Sequence, residues 1–376
     1  MRAGYGEKLR EFFASKVNPK LLVDFAGVKV FESATVDTNI LLFEKGKNAG
    51  KTQSCIATAL TKAGLANLSD FVRQESYPCA FTSNESWVIL SPIEQSIKRK
   101  IEAVGVPLKD WDINIYRGVL TGFNDAFIIS GDKRQEILDN CKTEAERKRT
   151  DGLIRPILRG RDIKRYSYNW ADLWLIYIPW HFPLQFDQTI QGASEKAEME
   201  FKKQYPAVYA HLLQYKKELS ARNKAETGIR YEWYAMQRWG ANYSDEFNKP
   251  KIVWARLMRL SKSDLNAFPR FCFVPEGFFI VDSLCFFSGS DLDILVKELN
   301  SEFAAYYFFN SVATLDNGGF QMRQQYVEEI PLPRLNKIEN SVNEEIYKAF
   351  NFTEEEIDFI KTSISNKKKE IESLIK

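Results

Sequence analysis

Ile115-Tyr-Arg-Gly-Val-Leu-Thr-Gly-Phe-Asn-Asp-Ala-Phe-Ile-Ile-Ser130 reads as an apolar strand, a Thr-Gly turn carrying polar Asn124 and Asp125, and a second apolar strand. A little further on, Leu153-Ile-Arg-Pro-Ile-Leu-Arg-Gly-Arg-Asp-Ile-Lys-Arg-Tyr166 sets Arg155, Arg159, Arg161, Lys164 and Arg165 around Pro156 and Gly160. A hairpin beside a dense set of cations is a surface suited to phosphates. Residues 142–165 hold nine cations against four anions, a local excess in a chain whose net charge is only +2. A nucleic-acid partner is therefore signalled by local patterning and not by a global field.

Elements extend from this centre in both directions. Ser91-Pro-Ile-Glu94 has the capping serine, first-turn proline and reciprocal glutamate of a helix start, and Ile93, Ile97, Ile101 and Val104 give it an apolar face that Gly105 ends. Towards the N-terminus, residues 6–15 read as a short amphipathic helix. Leu21–Phe25, Val28–Phe31 and Val36–Phe43 read as strands of the end of an α/β domain. A sheet of three strands cannot bury both its faces, so this part reads as the remnant of a larger domain. The polar, glycine-containing residues 44–54 read as a linker. After the central segment, Trp174–Ile178, Lys251–Trp254 and Gly277–Val281 look like strands and 193–221 and 291–309 like helices. Thr353-Glu-Glu-Glu356 is a capping box ahead of Ile357, Phe359 and Ile360.

The 376 residues, 44% hydrophobic and 27% charged, are enough for two or three domains with real cores. No apolar run is long enough to span a membrane, and the N-terminus lacks a signal-peptide core. Five scattered cysteines with no Cys-x-x-Cys pair suit a reducing, cytoplasmic setting. Only His181 and His211 are present, so a zinc site is not expected. Phosphate-loop and nucleophile-elbow motifs are missing; Ala49-Gly-Lys-Thr52 lacks the upstream glycine of the former.

Three groups of residues could carry chemistry. Arginine can bridge two acceptors on guanine, and lysine holds phosphates. The first group is the basic segments, 142–165 and Arg222 to Lys262; the latter interleaves aromatics as Arg230-Tyr-Glu-Trp-Tyr-Ala-Met-Gln-Arg-Trp239 and Trp254-Ala-Arg-Leu-Met-Arg259. Against this stands the ordinary reading of solvated faces and surface ion pairs. The second is the loop Asp316-Asn-Gly-Gly-Phe-Gln-Met-Arg323, whose glycines permit close backbone approach. The third is Asp187 with Glu200-Phe-Lys202, which has the composition of a metal-dependent nuclease site but falls in a stretch that looks helical.

These landmarks, in order, resemble the C-terminal part of TaqI-like, type IIG restriction-modification adenine-specific DNA methyltransferases. Met1–Phe13 looks like the segment that follows the catalytic motif, and Lys29–Leu42 like the closing strands of the methyltransferase fold. Arg117-Gly-Val-Leu-Thr-Gly122 with Asn124, and Leu158-Arg-Gly-Arg-Asp-Ile163, resemble the opening of the target-recognition domain. Lys251–Trp254, Val281-Asp-Ser283 and Glu329-Ile-Pro-Leu-Pro333 resemble its later landmarks.

The resemblance implies an α+β chain: the last strands of a Rossmann-like methyltransferase fold at 1–46, a linker and connecting helix at 47–110, a mixed α/β target-recognition domain at 111–335 and a helical tail at 336–376. It implies double-stranded DNA as partner. Arg117, Thr121, Asn124, Arg159, Arg161, Lys164, Arg238 and Arg323 are then the candidate contacts. The family flips an adenine and methylates its exocyclic amine with S-adenosylmethionine. The cofactor loop and the Asn-Pro-Pro-Tyr motif are absent here, and Asn18-Pro19-Lys20 is not that motif. Cofactor and catalysis are thus expected from a methyltransferase half, in the same polypeptide or a separate subunit. Two other classes stay open: a nuclease built on Asp187, Glu200 and Lys202, and a protein-interaction module.

Overall fold

The structure is a computed structural model that describes residues 6–25, 30–31, 38–57, 67–222, 231–315 and 318–375. It is a mixed α/β protein with several small sheets and many short helices. The chain divides into two compact units, Met1–Arg99 and Lys100–Lys376, with the boundary inside the helix Pro92–Val104. No helix among the described residues is long and apolar enough to cross a membrane.

In the first unit the helix Glu7–Lys16 leads into a four-stranded sheet. Its order is Asn39–Lys45, Val17–Asp24, Thr52–Ile56, Tyr77–Cys79, and only the middle pair is parallel. The polar stretch 44–54 is therefore no linker: it turns and re-enters the sheet as Thr52–Ile56. Strand pairing there is nonlocal, and composition alone does not register it. Val28 and Lys29 of the strand expected at Val28–Phe31, and Val36 and Asp37 of that expected at Val36–Phe43, lie outside the described residues, and Val30 and Phe31 are not in a strand. Both faces of the central strands are covered. Phe13, Val17, Leu22, Phe81, Trp87 and Ile89 form one cluster. Val23, Phe25, Cys55 and Ala57 form another with Phe71 and Val72 of the helix Leu68–Glu75.

The second unit is built on two four-stranded sheets. One runs Phe271–Val274, Lys251–Ala255, Leu284–Phe287, Ile115–Arg117, all antiparallel. The other runs Phe279–Ile280, Ile154–Leu158, Leu173–Ile176, Ile128–Ser130, with only the first pair parallel. The hairpin expected over 115–130 is not formed. Its two strands join different sheets, and Asn124–Phe127 is a short helix. Each strand finds a better-buried partner elsewhere than the other could offer across a Thr-Gly turn.

Phe247 ties the sheets together. Its ring lies 4.6 Å from Phe279 of one and 4.9 Å from Phe286 of the other. Lys251, wholly buried at the start of its strand, donates from Nζ to the carbonyls of Phe247, Pro275 and Phe278. Asn300 supplies the edge strand with what a neighbour would: Oδ1 accepts from Phe271 N at 3.0 Å and Nδ2 donates to Phe271 O at 2.8 Å.

The stretch 193–221 is broken into Glu195–Gln204, Pro206–Leu213 and Lys216–Ser220, and 291–309 into Leu292–Leu299 and Glu302–Ser311. The C-terminal helix Glu354–Leu374 opens with its capping box: Thr353 N donates to Glu356 and Glu356 N to Thr353 Oγ1. Its Ile360, Ile364 and Ile371 are buried, so it is an integral helix of the unit and not a tail.

Glu298 gives the second unit a pH dependence. It is 1% exposed, and burial pushes its carboxyl up to about 7 from an ordinary 4.5, against the pull of the Leu335 N–H it accepts. The folded state therefore binds more protons than the unfolded one between those values, and stability present below pH ~4.5 is lost as pH rises through about 7. Glu298→Gln is expected to flatten that loss and to raise stability at pH 8 by on the order of 2–3 kcal/mol. Urea unfolding of both proteins at pH 5 and pH 8 measures this; equal slopes with pH would contradict it.

Candidate nucleic-acid interface

The two sheets exchange chain at one crossing. Residues 118–120 run beside 280–284: Gly118 N donates to Leu284 O, Val119 N to Ile280 O, and Asp282 N back to Val119 O at 2.8 Å. Leu120 and Arg238 exchange backbone hydrogen bonds at 2.9 and 2.8 Å, and Val281 N donates to Leu158 O. Only glycine fits at 118, because a Cβ there would lie 2.1 Å from Val281 O and 2.4 Å from Ile280 O.

The turn held by this crossing presents Asp282 to three arginines. Arg117 Nη2 lies 3.0 and 3.1 Å from its two carboxylate oxygens, and Arg238 Nη2 lies 3.2 Å from Oδ1. Arg256 Nη1 lies 3.6 Å from Oδ2 and donates to the main-chain oxygen of Asp282 at 3.3 Å. The arginine side chains remain 38%, 45% and 31% exposed. Ion pairs that wet contribute at most about 1 kcal/mol each, so stability alone does not account for the cluster. Three cations on one anion leave positive charge for an external acceptor, and guanidinium edges suit phosphate or base. Burial pushes the thiol of the neighbouring Cys285 up to about 11, although Arg256 and Arg117 pull the other way.

The other candidates fall into distinct roles. Arg161 and Lys164 are exposed, and neither side chain makes an ion pair among the described residues. They sit on the turn beside the crossing, where a Cβ at Gly160 would be 3.7 Å from Ser283 Oγ. Arg159 is committed to Asp162 of its own turn, through Nε at 3.2 Å and Nη2 at 3.1 Å. Thr121 is corrected: it is 2% exposed, and its hydroxyl donates to Asn124 Oδ1 at 2.6 Å. It shapes a turn and is not available to a partner. Asn124 is exposed on the same turn. Arg323 is exposed beside Met322, whose carbonyl accepts from Trp254 Nε1. Asp316 and Asn317 of that loop lie outside the described residues.

Residue-by-residue reading passed over Arg256 as a contact and Asp282 as the centre. Their signal is a lone carboxylate in an apolar stretch, Val281-Asp-Ser283, with no local cation to explain it. Arg222, the start of the second basic segment, proves to be a brace. It donates to the carbonyls of Thr121, Trp233 and Ala235 at 2.6–2.7 Å, and burial lowers its pKa. The nuclease candidates do not converge on a metal geometry. Glu200 is on the helix Glu195–Gln204 and accepts from Gln204, while Asp187 accepts from Thr189. Among the described residues no group of three or more His, Cys, Asp or Glu could hold a metal ion.

The 280–284 side of the crossing, the turn after Leu158 and most of both sheets fall within residues 155–332, which match the family model of the TaqI-like C-terminal specificity domain. That part of the chain is similar to the specificity domains of this family. Two solved structures are similar over nearly the whole chain. One is the type IIG restriction endonuclease BpuSI, at 14% identity over 99% of this chain and 45% of that one, with a TM-score of 0.44. The other is the type IIL restriction-modification enzyme MmeI in complex with DNA, at 10% identity over 96% and 43%, with a TM-score of 0.38. The chain thus spans less than half the length of either. No curated protein matches it.

Gly118→Ala is expected to destabilise the second unit by at least about 2–3 kcal/mol, since backbone oxygens must move. Gly152→Ala, on the helix Glu144–Leu153 with nothing within 4 Å of its Cβ position, is expected to gain about 0.5–1 kcal/mol. Denaturant midpoints of the two variants should move in opposite directions.

Proposed function

We propose that this chain recognises a specific sequence in double-stranded DNA within a restriction-modification system. The observation that carries the reading is the convergence of Arg117, Arg238 and Arg256 on Asp282, near Arg161 and Lys164, which make no ion pair among the described residues; all of these but Arg117 lie in the segment matched to a specificity domain. Arg161 and Lys164 hold phosphates and set the register, and Arg117, Arg238, Asn124 and Arg323 reach base edges.

The full system in this reading is an adenine-N6 methyltransferase working on cytoplasmic DNA. The N-terminal unit is the closing part of its catalytic domain, and S-adenosylmethionine binds to a partner methyltransferase half. The role proposed for this chain itself is recognition.

Selection from a random duplex pool at several salt concentrations, with sequencing of the bound fraction, tests the reading. An enriched short motif supports it, and absence of binding at low salt overturns it. Arg161→Ala and Lys164→Ala should weaken all sequences alike and each reduce the salt slope by roughly one. Arg238→Ala should cost about 1–3 kcal/mol on the selected motif and relax one position of it.

A further inference from the structure

We propose that Asp282 is the positioning residue that sets sequence discrimination at this interface, by fixing the planes of Arg117 and Arg238 and withholding one positive charge from phosphate. The proposal rests on the DNA-recognition reading above.

Its basis is the three-to-one geometry. Arg117 comes from the strand Ile115–Arg117, Arg238 from the segment bridged to Leu120, and Arg256 from the end of Lys251–Ala255. Three guanidinium groups brought together from separate segments repel one another, and Asp282 is the anion all three contact. The aspartate is itself held on both sides. Its N–H donates to Val119 O, Arg256 N donates to Ser283 O at 3.0 Å, and Leu284 N closes the turn on Val281 O. Asp162 offers the contrast. It binds one arginine, holds the Nε–Nη2 edge of Arg159 with both carboxylate oxygens, and is 3% exposed. Asp282 contacts each of its three arginines through a single Nη atom, and all three side chains stay partly exposed.

A guanidinium free to turn grips any phosphate, and phosphates are alike along every duplex. One whose plane is fixed by a carboxylate presents its remaining N–H groups in one direction and separates base edges by geometry. Asp282 therefore trades affinity for all DNA against discrimination between sequences.

The test compares the chain with Asp282→Asn, which keeps the side-chain shape and removes the charge. Binding is measured to the motif selected by the unaltered chain and to random-sequence duplex of equal length, over a range of salt. In the variant, affinity for random duplex should rise severalfold and its salt slope should steepen by about 0.9. The motif-to-random affinity ratio should fall at least tenfold. A gain on random duplex is not something a misfolded variant produces. An unchanged or higher ratio overturns the proposal, as does a loss of affinity for both duplexes. Arg256→Met tests the same balance without touching the carboxylate: random-duplex affinity should fall and the ratio should be kept or increase, and a fall in the ratio counts against the proposal. If the unaltered chain binds no duplex, the DNA reading fails and this proposal with it. If it selects a motif and Asp282→Asn keeps the ratio, only this proposal fails.

Discussion

The second unit depends on a steric fact at Gly118. Two lengths of chain change sheets, 115–130 and 279–287, and they do so against each other, with Gly118 close beneath the carbonyls of Ile280 and Val281. Any side chain at 118 would separate them. That would undo the hydrogen bonds of Val119 with Ile280 and Asp282, and with them the alignment of both sheets. Phe247 can touch Phe279 and Phe286 together only because the crossing keeps those strands in fixed relation. The turn at Asp282 is the visible end of this arrangement.

Cations in this unit separate by what they are bonded to, and that separation localises charge in a nearly neutral chain. Arg222 and Lys251 are surrounded by main-chain carbonyls and serve the fold. Arg159 and Arg147 are matched one to one, by Asp162 and Asp139. Around Asp282 three arginines share one carboxylate, and Arg161 and Lys164 nearby are exposed. A net charge of +2 is compatible with a local excess of positive charge, because the 50 acidic residues are spread over the whole chain.

Sequence-local features were the legible ones. The capping boxes at Ser91–Glu94 and Thr353–Glu356 form between residues three apart, and both are present. Strands such as Lys251–Ala255 follow from unbroken apolar composition. What could not be read was pairing at long range. Nothing local says that Ile115–Arg117 and Ile128–Ser130 part company, or that Thr52–Ile56 returns to lie parallel with Val17–Asp24. The same holds for the site. Arg117 and Arg238 were legible as cations in a basic context. Their shared carboxylate lies 165 and 44 residues away along the chain and gains meaning only when the crossing forms. Thr121 misled because a small polar residue at a turn has the same composition whether its hydroxyl faces a partner or caps its neighbour.

The extent of the recognition unit follows from the sheets. The family match begins at residue 155, yet both sheets take an outer strand from before it: Ile115–Arg117 beside Leu284–Phe287, and Ile128–Ser130 beside Leu173–Ile176. A piece cut at 155 would bare the backbone edges of two apolar strands, a state that invites aggregation. It would also remove Arg117 and the Val119 carbonyl that holds Asp282. The folding unit and the arginine cluster thus share one boundary, upstream of Ile115. The residues that present Asp282 are the same ones that close the sheets.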